Sequence, residues 1–215
     1  SIMIDKIHQS VYYVLKRDKS DLLFELLANP QMQSVLVFTR TKHGADKLVE
    51  TLQAKGIKTD AIHGNKSQAK RQSALNAFKL KQIKVLVATD IAARGIDIDQ
   101  LSHVINYDLP ETPETYVHRM GRTGRAGLSG EAFSFCSQEE THLLQSIQKH
   151  IKIMIPTSYE HHYHTEMAMP SQGSSIHSKY SGGSYAKNKD NRPSRNRSSQ
   201  FGKQRKRYVA RNVTA

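Results

Sequence analysis

The sequence predicts a three-layer α/β domain with a mostly parallel central sheet, followed by a disordered basic tail. Short, near-continuous apolar runs recur through the first 156 residues, as strands buried on both faces require. Amphipathic helical patterns lie between them, which implies right-handed βαβ units. Beyond Pro156 both periodicities stop, so the domain is expected over 1–156 and the tail over 157–215.

The strands are read in order from SVLVF (34–38), TDAI (59–62), KVLVATD (84–90), SHVINYD (102–108) and EAFSFC (131–136). HGADKLVETLQAKG (43–56) is an amphipathic helix ending at Gly56, a residue suited to the position just past a helix end. SQAKRQSALNAFK (67–79) is a second, with Ser67 as N-cap. TPETYVHRMG (112–121) is a third, with Thr112 as N-cap, Pro113 at the first helical position and Gly121 as terminator. The tail, represented by 171–212, is rich in Ser, Gly, Asn and Arg with few aliphatic residues, too little apolar surface to offset the entropy of ordering.

The 215-residue chain carries a formal net charge of +13, which points to a polyanionic partner. Residues 157–215 hold eleven Lys and Arg against three Asp and Glu, so most of the excess charge lies there. Tyr180, Tyr185, Phe201 and Tyr208 interleave with those cations, the pairing of stacking rings and phosphate contacts that a sequence-tolerant RNA-binding arm uses. The single cysteine, Cys136, excludes an internal disulfide framework, suits a reducing compartment and is expected as a packed thiol. No apolar run is long enough for a membrane helix and no signal segment opens the chain. The sequence starts without Met and is expected to be a piece of something longer. EHHYHTE (160–166) has many imidazoles, but its spacing and the lack of a second ligand cluster favour a solvated linker over a metal site.

In open α/β sheets ligands bind beyond the carboxyl ends of the strands. Here those ends carry TRTK (39–42), HGNKSQ (63–68), TDIAARGID (89–97) and YDLP (107–110), which are polar, basic or glycine-containing. HRMGRTGRAG (118–127) adds Arg119, Arg122 and Arg125, three residues apart and set among glycines. Guanidiniums held this close need an anion between or opposite them. A basic helix end complementing its dipole is the plainer reading of the same run.

Taken together, VLVFTRTK, AIHGNKSQAKR, VLVATDIAARGIDI, VINYDLP and YVHRMGRTGRAG strongly resemble the second RecA-like domain of DEAD-box RNA helicases, nearest to the bacterial RhlE type. The resemblance covers about residues 5–156; Met120 stands where the family usually has Ile. It implies a RecA-like, P-loop NTPase-like fold, ATP as nucleotide, and RNA, duplex and single-stranded, as partner.

By the same resemblance Arg122 and Arg125 are arginine fingers for the γ-phosphate, Gly95 approaches that phosphate and Asp97 binds the ribose. Thr89, Arg94, Gly64 and Gln68 would meet RNA, as would Arg40, Thr41 and Lys42 after the first strand listed above. Arg71, Asp90, His118 and Arg119 would form a structural and interdomain network, with Asp90 positioning an arginine. Neither a Gly-x₄-Gly-Lys-Ser/Thr loop nor an Asp-Glu-Ala-Asp run occurs. The resemblance places both on a preceding, N-terminal RecA-like domain that would also hold most of the Mg²⁺ contacts, so this chain alone is expected to be inactive. A cytoplasmic setting, no membrane partner, and ribosomal or RNA-degradation proteins as candidate partners complete the expectation. A non-catalytic RNA-binding module and a DNA-translocating relative in superfamily 2 are the competing readings.

Overall fold

A computed structural model describes residues 6–96, 98, 101–123 and 130–166. Asp97, Arg125 and the basic tail beyond residue 166 lie outside the described residues.

The strands are β1 (Ile7–Tyr13), β2 (Val35–Phe38), β3 (Thr59–Ile62), β4 (Val85–Ala88), β5 (His103–Asn106) and β6 (Gly130–Cys136). They form one six-stranded sheet in the order β1-β6-β5-β2-β4-β3, and every pairing is parallel. The helices are α1 (Lys19–Leu27), α2 (Lys42–Ala54), α3 (Gln68–Lys79), the single turn α4 (Asp90–Ala93), α5 (Pro113–Met120) and α6 (Thr141–Ile151).

Alternation within the apolar runs explains why they are central strands. Leu36, Phe38, Leu86, Ala88 and Val104 point to one face, where they pack with Phe78 of α3, Tyr116 and Met120 of α5, and Leu144 and Ile147 of α6. Val35, Val37, Val85, Val87 and Ile105 point to the other, against Leu22, Leu23 and Leu27 of α1 and Leu48 and Leu52 of α2. Each fully buried side chain of this kind contributes about 1.5–3 kcal/mol relative to an exposed one.

The predicted caps Ser67 and Thr112 accept from the backbone N–H groups of Lys70 and Thr115 and so start α3 and α5, and Thr41, which the sequence reading did not name as a cap, accepts from Gly44 N–H and starts α2. Gly56 has φ +80°, the left-handed conformation that ends α2 cheaply only at glycine.

Three elements lie beyond those read from periodicity. β1 joins β6 in register from Ile7↔Gly130 to Tyr13↔Cys136, α1 follows it, and α6 is introduced by a capping box in which Ser137 and Glu140 satisfy each other's backbone donors.

The folded chain also continues past Pro156. Val11 donates to the Pro156 carbonyl at 2.8 Å, Ser158 donates back to the Val11 carbonyl at 2.9 Å, and Thr165 donates to the Tyr13 carbonyl at 3.3 Å. His161 lies 5.3 Å from the Tyr12 ring and Tyr163 packs against the core, where the sequence alone suggests a solvated linker. This strap covers the outer edge of β1, which would otherwise present unpaired backbone groups. Among the described residues no helix is long and apolar enough to cross a membrane.

Candidate functional site

Because all strands run the same way, their carboxyl ends share one edge of the sheet. Phe38 is level with Ala88 and Asn106, and Ala88 with Ile62. The segments that leave this line are 39–42, 63–68, 89–95 and 107–110, and they carry most of the candidate residues.

One group gathers beyond β2, β3 and β4. Arg40, Thr41 and Lys42 lead from β2 into α2, where Thr41 is the N-cap. Lys42 donates to Asn65 Oδ1 at 3.0 Å, joining this turn to the loop after β3. That loop is fixed by His63, whose Nε2 lies 2.9 Å from Asp46 Oδ1, and by Lys66, 3.1 Å from the same oxygen. Burial raises the Asp46 pKa, but the His63 and Lys66 hydrogen bonds outweigh it and hold the carboxyl below its ordinary value. Gly64 is exposed and a Cβ there would touch nothing, so its backbone stands open to a ligand. Gln68 opens α3 and accepts from Arg71 Nη1 at 3.4 Å, while Arg71 Nη2 reaches the Ala92 carbonyl at 3.4 Å. Arg71 therefore ties the start of α3 to α4, between Thr89 and the exposed Arg94.

A second group lies between α4 and α5. Gly95 turns the chain after α4 with φ +73°, a conformation that strains any other residue. Arg122 Nη1 donates to the Ile96 carbonyl at 2.9 Å, placing its half-buried guanidinium beside that turn. His118 is exposed and lines the same small cleft as Arg94 and Arg122. Asp97 and Arg125, named with this group from the sequence, fall outside the described residues.

Arg119 differs from its neighbour in the motif. It is 2% exposed, and Nε and Nη2 grip the two Asp90 oxygens at 2.6 and 2.8 Å. Nη1 donates to Asn106 Oδ1 at 2.9 Å and to the Asp108 carbonyl at 2.7 Å, and the guanidinium lies 4.8 Å from the Phe38 ring centroid. A bidentate fork with these additional contacts makes Arg119 an internal strut between α5, the start of α4 and the end of β5. The arginine that Asp90 holds is Arg119, and these contacts are all inside the domain.

Sequence reasoning missed a third group beneath Arg40. Lys19, 2% exposed, donates to Glu140 Oε2 at 2.6 Å and to the Tyr107 carbonyl at 2.7 Å. Glu140 also accepts from the backbone of Leu109 and Ser137 and from the Ser137 hydroxyl. The Ser-x-x-Glu spacing at 137–140 is a capping-box signal that could have located Glu140. Nothing local pairs it with a lysine so far away in sequence. Cys136, at the end of β6, is fully buried with its thiol pushed up to about 12 by burial and the nearby Glu140 charge. Among the described residues no three His, Cys, Asp or Glu side chains gather as a metal ion would need.

Residues 18–127 match the helicase conserved C-terminal domain. DEAD-box ATP-dependent RNA helicase CshA of Bacillus licheniformis is 46% identical over 149 residues, 69% of this chain and 31% of that protein, and the Bacillus subtilis CshA is likewise 46% identical. The chain thus spans about a third of the length of these curated relatives. Among solved structures, Escherichia coli SrmB bound to regulator of ribonuclease activity A superposes with TM-score 0.73 at 36% identity, covering 77% of this chain and 98% of that one. A DEAD-box protein from Methanococcus jannaschii gives 0.67 at 40% identity, covering 72% and 42%. Saccharomyces cerevisiae Dbp5 bound to RNA and ADP BeF₃ gives 0.67 at 35%, with the same coverage.

Proposed function

Since the chain belongs to the DEAD-box RNA helicases, as their conserved C-terminal RecA-like domain, we propose that it is the closing half of an ATP-dependent RNA helicase. The observation that carries this reading is the shared edge. Candidate RNA contacts cluster beyond β2, β3 and β4, and Gly95 and Arg122 stand just past α4, with Arg122 sharing a small cleft with Arg94. A ligand pair bound along this edge is gripped by one rigid body.

In this proposal a preceding N-terminal RecA-like domain holds the triphosphate and most of the Mg²⁺ contacts. Arg40, Thr41, Lys42, Gly64, Gln68, Thr89 and Arg94 hold one RNA strand by its backbone, with ribose hydroxyls distinguishing it from DNA. Closure brings Arg122 and Arg125 to the γ-phosphate, whose negative charge spreads over its equatorial oxygens as it transfers. A guanidinium fork matches that distribution. His118 faces the incoming domain, while Arg119 and Asp90 keep α5 at a fixed angle to α4. A strand shaped to this edge no longer fits its complement, so a short duplex opens locally. A cytoplasmic setting belongs to the same reading. The SrmB complex with a regulator of ribonuclease activity supports a partner from RNA degradation.

The test is Arg122→Ala and Arg125→Ala in the full-length protein. RNA-stimulated ATP hydrolysis should fall by about 10³-fold or more, as for arginine fingers elsewhere, while RNA binding persists. Turnover within a few-fold of wild type would overturn the finger assignment. Comparing RNA with DNA as the stimulating strand separates an RNA enzyme from a DNA translocase.

A further inference from the structure

The structure assigns Lys19, Glu140 and Asp108 a positioning role: they hold Arg40 in the orientation from which it contacts RNA, an inference resting on the RNA assignment of Arg40 above. Arg40 is bound from beneath at three points. Its backbone N–H donates to Asp108 Oδ2 at 2.9 Å, and its Nη2 donates to the Leu109 carbonyl at 3.2 Å and lies 3.5 Å from Glu140 Oε1. The loop that supplies two of those acceptors is itself clamped. Glu140 Oε1 accepts from Leu109 N at 3.1 Å, and Lys19 donates to the Tyr107 carbonyl at 2.7 Å with Asp108 Oδ1 3.5 Å away.

The charges explain why this clamp is rigid. The Lys19 and Glu140 side chains are 2% and 8% exposed, and Glu140 gains three more hydrogen bonds from Ser137 and Leu109. A buried ion pair survives only with such geometry and full satisfaction of its remaining lone pairs. The hydrogen bonds of both groups go to internal partners. Arg40, by contrast, has a side chain 42% exposed, so it meets solvent on one side and the clamp on the other. A long cation tethered in this way loses less rotamer freedom when it binds a phosphate. The same loop receives Arg119 Nη1 at the Asp108 carbonyl, so the strut at the nucleotide side and the clamp at the RNA side bear on one residue.

The experiment measures RNA-stimulated ATPase in the full-length protein. The variants are Lys19→Met/Glu140→Gln, Asp108→Ala and Arg40→Ala, each alone and the first two also combined with Arg40→Ala. Replacing Lys19 and Glu140 together leaves no unpaired buried charge, and Asp108 is accessible enough that its truncation spares the fold. The RNA concentration giving half-maximal stimulation should rise about tenfold for Arg40→Ala and severalfold for the other two, and in those other two the KM for ATP and RNA-independent turnover should stay within twofold. In the Arg40→Ala background neither should add more than twofold. Full additivity, an equal shift in the KM for ATP, or an unmoved RNA requirement in Asp108→Ala would overturn the positioning role. An Arg40→Ala variant with normal RNA dependence would instead remove the RNA assignment on which that role depends.

Discussion

Arg119 and Arg122 are three residues apart, yet Arg119 turns into the domain while Arg122 stays half-buried beside the Gly95 turn. The difference is Asp90, which meets Arg119 with both oxygens and draws it inward. Arg119→Ala would leave Asp90 and Asn106 without their donor, and the unfolding free energy of the chain in urea should fall by about 3–5 kcal/mol. Lysine in its place should recover only part of that, because a single ammonium cannot supply the fork. His103 makes a second residue-scale prediction. It is 5% exposed, lies 5.2 Å from Phe133 in an edge-on pair, and its Nδ1 has no hydrogen-bond partner. Burial, helped by the Lys84 charge, depresses its pKa from 6.5 to about 4. The unfolded chain therefore takes up this proton before the folded one does. The stabilisation is intact above about pH 6.5 and is lost as pH falls toward 4, by about 3 kcal/mol at most. His161 is shifted the same way by burial and by His164, so His103→Leu should flatten only part of the acid slope. Urea midpoints from pH 7 to 4.5 on both chains would show it.

The strap beyond α6 makes an element-scale prediction. It gives β1 backbone partners at Val11 and Tyr13 and lays His161 on Tyr12. A chain ending at Pro156 should be less stable than one ending at Glu166 by about 2 kcal/mol, the sum of a few such hydrogen bonds and one or two ring contacts. Equal urea midpoints for the two would show that the strap only rests on the sheet. Elements differ in how far the sequence reveals them. β2, β4 and β5 are legible because burial on both faces makes each a short aliphatic run, and α2, α3 and α5 because their caps are local chemistry. β1 is harder to read: IHQSVYY mixes polar and apolar residues at an edge, and its partner β6 is over a hundred residues away. The candidate site divides in the same way. Turns that bring Arg40, Gln68 and Arg94 to the edge follow from strand ends, whereas the burial of Arg119 and the Lys19–Glu140 pair depend on contacts between distant segments. Spacing along a helix cannot report them.

At the scale of the whole molecule the charge is the dominant quantity. Residues 171–215 contribute eleven Lys and Arg against one Asp, most of the net +13. They lie outside the described residues, and their composition pairs cations with aromatic rings. Phosphate contacts release condensed counterions, and each contact steepens the fall of affinity with salt by about 0.7 on a log–log plot for single strands. Deleting 171–215 should weaken binding to a single-stranded RNA and reduce that slope by about 3 or more, even if only half of the cations engage. The edge of the folded domain should supply the slope that remains. Replacing Tyr180, Tyr185, Phe201 and Tyr208 with Ala should lower affinity by about 1–3 kcal/mol for each base unstacked, while leaving the slope nearly unchanged because no cation is removed. Titrations between 50 and 300 mM salt, read by fluorescence anisotropy, separate the two contributions. An unchanged slope after the deletion would mean that the tail's charge does not meet RNA, and that the edge of the sheet carries the electrostatic contact alone.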